Sequence, residues 1–135
     1  MSFFPRLFRL TPRSVRQYQF QAQLVGLLDY SLTEQDTGRK WVDGKSIFQK
    51  TVAIAAGPNN STVNVAHGIT GLDTIVTYEM MLNHSGDQRF VPNVEATAAI
   101  QLHNAFSATN IILVSGTGGD YHLYSGHCTL YYTKS

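Results

Sequence analysis

Hydrophobic and polar positions alternate with a period of two through most of this chain, the pattern of strands that bury one face. Residues 47–55 set Phe48, Lys50, Val52 and Ile54 against Gln49, Thr51 and Ala53. Residues 61–66 place Val63 and Val65 on one side and Thr62 and Asn64 on the other. Residues 73–82 are β-branched, then aromatic and Met-rich, and predict a strong strand. Further strands are expected at residues 89–91 (ended by Pro92), 96–103, 110–115 and 121–133. The stretch 96–103 is apolar enough to be a helix, but its neighbours argue for a strand. Residues 17–24 alternate Gln17, Gln19, Gln21 and Gln23 with Tyr18, Phe20, Ala22 and Leu24. That favours a strand, with a helix as the alternative because Val15, Tyr18, Ala22 and Val25 share a helical face.

Turn chemistry separates these runs. Asp43-Gly44 lies between Trp41-Val42 and Ile47-Phe48, all strand formers, and predicts a type I′ hairpin, whose two central residues need positive φ. Trp41, the single Trp, is expected to pack over the sheet edge with its indole N–H bonded to an acceptor. Lys45 and Lys50 are expected to keep the outer face wet. Residues 57–60 and 116–120 are loops by composition, and residues 83–88 are a polar loop. About eight short, closely spaced strands with no long helix define an all-β fold, an antiparallel β-sandwich of jelly-roll-like form. An extended N-terminal arm and connector occupies residues 1–28, and the sandwich occupies residues 29–135.

The segment from residue 30 to residue 50 resembles one that recurs in virion proteins of tailed phages, notably small trimeric β-sandwich domains of tail, baseplate and head appendages. The matching positions are Tyr30, Ser31, Glu34, Gly38, Trp41, Asp43, Gly44, Lys45, Ile47 and Lys50. The family usually carries a short aliphatic-Gly-Thr run before the Trp, where this chain has Thr37, Gly38, Arg39 and Lys40. The resemblance implies a β-sandwich working as a homotrimer, a structural protein of the virion put together in the bacterial host cytoplasm.

Composition agrees with that expectation. A chain of 135 residues is one domain, large enough for a core without staples. Charged residues are 14%, against about 25% in a typical domain, so much of the surface is neutral and suited to cover by copies or partners. The single Cys128 excludes an internal disulfide and is expected to be a buried thiol. No apolar stretch approaches the ~20 residues of a membrane span, and no secretory h-region follows the basic N-terminus.

Charge is unevenly placed. Arg6, Arg9, Arg13 and Arg16 precede the first acid, Asp29, and are interleaved with Phe3, Phe4, Leu7, Phe8 and Leu10. Pro5 and Pro12 oppose a single long helix. This cationic, apolar arm is expected to dock on another virion protein of the capsid or tail. Phe3, Phe4, Arg6, Phe8, Arg9, Arg13 and Arg16 are its candidate contacts. Four arginines without a base-reading signature do not favour nucleic acid.

No catalytic set emerges. Gly116-Thr117-Gly118-Gly119-Asp120 lacks the Lys-Ser/Thr of a phosphate loop. Ser115 and Ser125 lie outside any nucleophile elbow, and Asp73, Glu79, Asp87 and Glu95 are scattered over different elements. The five histidines, His67, His84, His103, His122 and His127, lack metal spacing, though His103 or His122 near a three-fold axis would be repeated three times. No cofactor is expected. The expected role is non-enzymatic: a head decoration or cement protein, or a compact tail appendage. The alternative is a module binding host-surface glycan, with Tyr121, Tyr124, Tyr131 and Tyr132 stacking on sugars and Asn59, Asn60, Asn83, His84, Asp87 and Asp120 supplying polar contacts.

Overall fold

The computed structural model describes residues 28–93 and 100–135, and every regular element among them of more than one residue is a β-strand. The strands are β1 (Gln35–Lys40), β2 (Ser46–Ile54), β3 (Thr62–Ala66), β4 (Leu72–His84), β5 (Asp87–Phe90), β6 (Leu102–Phe106), β7 (Asn110–Ser115) and β8 (Ser125–Lys134). They form a five-stranded sheet, β1-β2-β8-β4-β5, and a three-stranded sheet, β3-β7-β6. All pairings are antiparallel. The fold is an antiparallel β-sandwich. The chain changes sheet four times, between β2 and β3, β3 and β4, β5 and β6, and β7 and β8, and the pair of β2 with β8 in one sheet encloses in sequence the pair of β3 with β7 in the other. This nested pairing is the wrap of a jelly roll.

The alternation does its work in the core. Val52 and Ile54 on β2, Cys128, Leu130 and Tyr132 on β8, and Met80 and Leu82 on β4 face Leu102, Ile111 and Leu113 of the second sheet. The β-branched run of β7 resolves the same way, with Ile111 and Leu113 buried and Val114 exposed. Tyr78 crosses between the sheets, packing edge-on against Phe106 at 4.9 Å and donating to Asn104 Oδ1 at 2.9 Å.

Several local expectations are corrected. Trp41-Val42 is loop, and the strand before the turn is β1, which has already ended at Lys40. Gly44 N–H donates to Trp41 O and Trp41 N–H to Lys45 O, both at 2.9 Å, and of the two turn residues only Gly44 has positive φ, at 85°. That is a three-residue loop closed by a glycine bulge, not a type I′ turn. The type I′ signature sits instead at Ser85 (φ 50°) and Gly86 (φ 84°), joining β4 directly to β5 where a longer polar loop was expected. Lys50 does not wet the outer face. It lies on the inner register and donates to the carbonyl of His67 at 2.9 Å, tying β2 to the β3–β4 connection. Residues 121–124 are turn rather than strand, and β6 begins at Leu102. The strand expected at 17–24 and most of the one expected at 96–103 lie outside the described residues.

Candidate functional site

The outward face of the five-stranded sheet carries three rows of side chains. Ala53, His127, Met81 and Phe90 stand in register across β2, β8, β4 and β5. Thr51, Thr129 and Glu79 form the next row, and Gln49, Tyr131 and Thr77 the third. Thr51 and Thr129 bond to each other through their hydroxyls at 2.9 Å and are both buried. The pairing satisfies their polar atoms and leaves a floor of low polarity.

One wall rises over this floor from the chain ahead of β1. Thr51 N–H donates to Ser31 O at 2.8 Å, which fixes residues 30–32 beside β2. Tyr30 then reaches across the sheet and donates from its phenol to Glu79 Oε2 at 3.2 Å. That hydrogen bond, more than the negative charge itself, holds the Tyr30 phenol above its usual pKa. Burial pushes Tyr131 up as well, helped by the same carboxylate. Between this wall and Phe90 runs an open, mostly apolar groove of about 820 Å³. Its rim is unusually greasy for solvent: Tyr30, Leu32 and Phe90 are 65%, 61% and 68% exposed.

Of the ten matching positions in residues 30–50, only two lie at this groove. Tyr30 and Ser31 are its wall. Glu34 accepts from Tyr132 Oη at 2.6 Å and from Lys134 Nζ at 2.9 Å, pinning the wall's base to β8. Burial alone raises the Glu34 carboxyl, but these two donors outweigh it and leave it below the usual range. Gly38 sits at an irregularity in the β1–β2 pairing. Trp41, Asp43 and Gly44 make the hairpin loop, with Trp41 half-buried. Lys45 reaches Asp73 at 2.6 Å, and Ile47 is buried. No hydrogen bond from the Trp41 indole to a described residue is formed. The arm residues Phe3, Phe4, Arg6, Phe8, Arg9, Arg13 and Arg16 lie outside the described residues.

Sequence reasoning does not single out Leu32, Met81, Phe90, His127 or Thr129 as site residues. One signal is present: Met81 is an apolar residue on the outward side of β4, between Glu79 and Asn83, where an alternating strand would carry a polar one.

The residues expected for glycan contact are spread over several places. Tyr124 donates to Asp87, packs against the ring of His84 at 5.4 Å and meets Tyr121 edge-on at 5.3 Å. Arg89 Nε donates to the same Asp87 oxygen at 3.1 Å. The Tyr124 hydrogen bond, then that from Arg89, keeps the Asp87 carboxyl low. Asp120 is engaged by His122. Tyr132 is fully buried under Phe48, and Tyr131 belongs to the outward face. The histidines are dispersed as well. His67 is buried, accepting from Ile69 N–H at Nδ1 and facing Ser107 O with Nε2, so it is a structural joint between loops. His103 pairs with Gln101 on the exposed face of β6. Among the described residues, no group of three or more His, Cys, Asp or Glu is placed to hold a metal ion. No described helix is long and apolar enough to cross a membrane.

Compared with known proteins, the chain matches no family model, and no curated protein or solved structure is significantly similar to it.

Proposed function

We propose that this chain is a non-enzymatic structural protein of a tailed-phage virion. In this reading it is a self-associating β-sandwich held among its neighbours in the capsid or tail by the N-terminal arm, as a head decoration or cement protein or a compact tail appendage. The observation that carries the reading is the groove. A sandwich should present a polar outer sheet face, yet this face offers an apolar trough with three exposed hydrophobic side chains on its rim. Exposed apolar patches of this kind mark protein–protein contact. Its lining includes one carboxylate, Glu79, already engaged by Tyr30, which fits a docking surface better than acid–base chemistry. The low charge of the chain and the likeness of residues 30–50 to trimeric phage domains support the same role, with three copies as the expected assembly.

Co-sedimentation with the phage particle tests it. The full chain should pellet with particles stripped of it, and replacement of Arg6, Arg9, Arg13 and Arg16 by Gln should leave it in the supernatant. Undiminished pelleting of that variant would refute the role of the arm. A glycan-binding role has one observation in its favour, the Tyr124–His84–Asp87 cluster at the β4–β5 turn. Its hydrogen-bonding groups are, however, spent largely on one another.

A further inference from the structure

We infer that the groove on the outer sheet face is a receptor for residues 3–10 of a second copy of this chain. The inference rests on the self-association just proposed and names its contact. Three properties of the groove select this occupant.

The first is chemistry. The groove offers apolar surface from Leu32, Met81 and Phe90 around a single acidic side chain, Glu79. Residues 3–10 offer Phe3, Phe4, Leu7, Phe8 and Leu10 punctuated by Arg6 and Arg9, with no acid. Phenylalanines are efficient fillers of such a trough, and an arginine is the natural partner for the Glu79 carboxylate in its lining, of which Tyr30 engages Oε2.

The second is dimension. The groove crosses β2, β8, β4 and β5, three interstrand spacings or about 14 Å, which five residues of extended chain cover.

The third is where the chain enters. The described chain begins at Leu28 and forms the groove's own wall two residues later, with Tyr30, Ser31 and Leu32. That leaves 17 residues between Leu10 and Leu28, up to about 60 Å of extended chain. A domain of this size has a radius of gyration of about 13 Å, so a neighbouring copy's groove is well within reach. An arm handed from each copy to the next also gives a segment this greasy a built seat, because its hydrophobic side chains leave water on the next subunit.

A complementation experiment on the full-length chain decides it. An arm variant, Phe3→Ser with Phe4→Ser and Phe8→Ser, keeps its groove. A groove variant, Phe90→Ser with Leu32→Ser, keeps its arm and alters only exposed side chains, so its folding is readily checked by circular dichroism. Light scattering across a hundredfold concentration range should show the unmodified chain assembling and each variant at monomer mass. The mixture should regain a 1:1 pair, because one variant still contributes an arm and the other a groove. In the charge version, Glu79→Arg should weaken association about tenfold, and Arg6→Glu with Arg9→Glu should restore it. Assembly of both variants equal to that of the unmodified chain would overturn the groove as receptor while leaving self-association standing. A mixture that stays monomeric would overturn it too. A monomer at every concentration, the result of an arm folded back onto its own groove, would overturn both the inference and the self-association beneath it.

Discussion

Tyr132 shows how one side chain links the core to the surface. Its ring is fully buried against Phe48, and its hydroxyl emerges to donate to Glu34, which also holds Lys134. The two titrations act in opposite directions. The Glu34 carboxyl is held below its ordinary range, so it stabilises the fold above the unfolded value of about 4.3 and that contribution is lost as pH falls through the lowered one. The Tyr132 phenol is raised, first by burial and then by Glu34, so its contribution is complete below about pH 10 and is lost as pH climbs beyond it. Urea midpoints measured against pH should therefore show an acid limb that flattens in Glu34→Gln. Tyr132→Phe should cost about 1–2 kcal/mol at neutral pH by removing a hydrogen bond to a charged group. An unchanged acid limb in Glu34→Gln would contradict this. Cys128 gives a sharper chemical readout. It is buried between the sheets, and desolvation pushes its thiol up to about 12. Thiol reagents at pH 8 should leave it unlabelled in the native protein and label it stoichiometrically in denaturant; fast native labelling would show that β8 is not where the core requires it.

At the scale of elements, the β4–β8 pairing is the spine of the larger sheet, and it depends on Gly126. A Cβ there would lie 2.0 Å from the Met81 carbonyl oxygen, so Gly126→Ala must push the two strands apart. The expected loss is about 3 kcal/mol, read from a denaturant midpoint. A change under about 0.5 kcal/mol would mean that the strands do not approach so closely. Strands with a strong pattern are legible in the sequence: β2 and β3 by alternation and β7 by its continuous apolar run fall within a residue or so of their expected ranges. The edge strand β1 is not, since Gln35–Lys40 has little hydrophobic pattern and is held by backbone pairing to β2 and by the Thr37 hydroxyl on Ile47 O. Turn type escapes the sequence for a related reason. Asp-Gly and Ser-Gly both permit positive φ, and strand register rather than dipeptide identity decides which turn uses it at both positions. The groove lies almost wholly beyond sequence reasoning, because Thr51 on β2, Thr129 on β8 and Glu79 on β4 come together only through pairings between strands distant in the chain.

For the whole molecule, the sandwich leaves one sheet face with an apolar groove, the sequence carries an N-terminal segment of apolar and cationic side chains, and the self-association we propose would join the two. The most direct test is the mass of the full chain in solution by light scattering over a range of concentrations. The account predicts an integral multiple of the 15.0 kDa subunit, three by the phage likeness, falling toward the monomer on dilution. A mass fixed at 15.0 kDa at every concentration would contradict it.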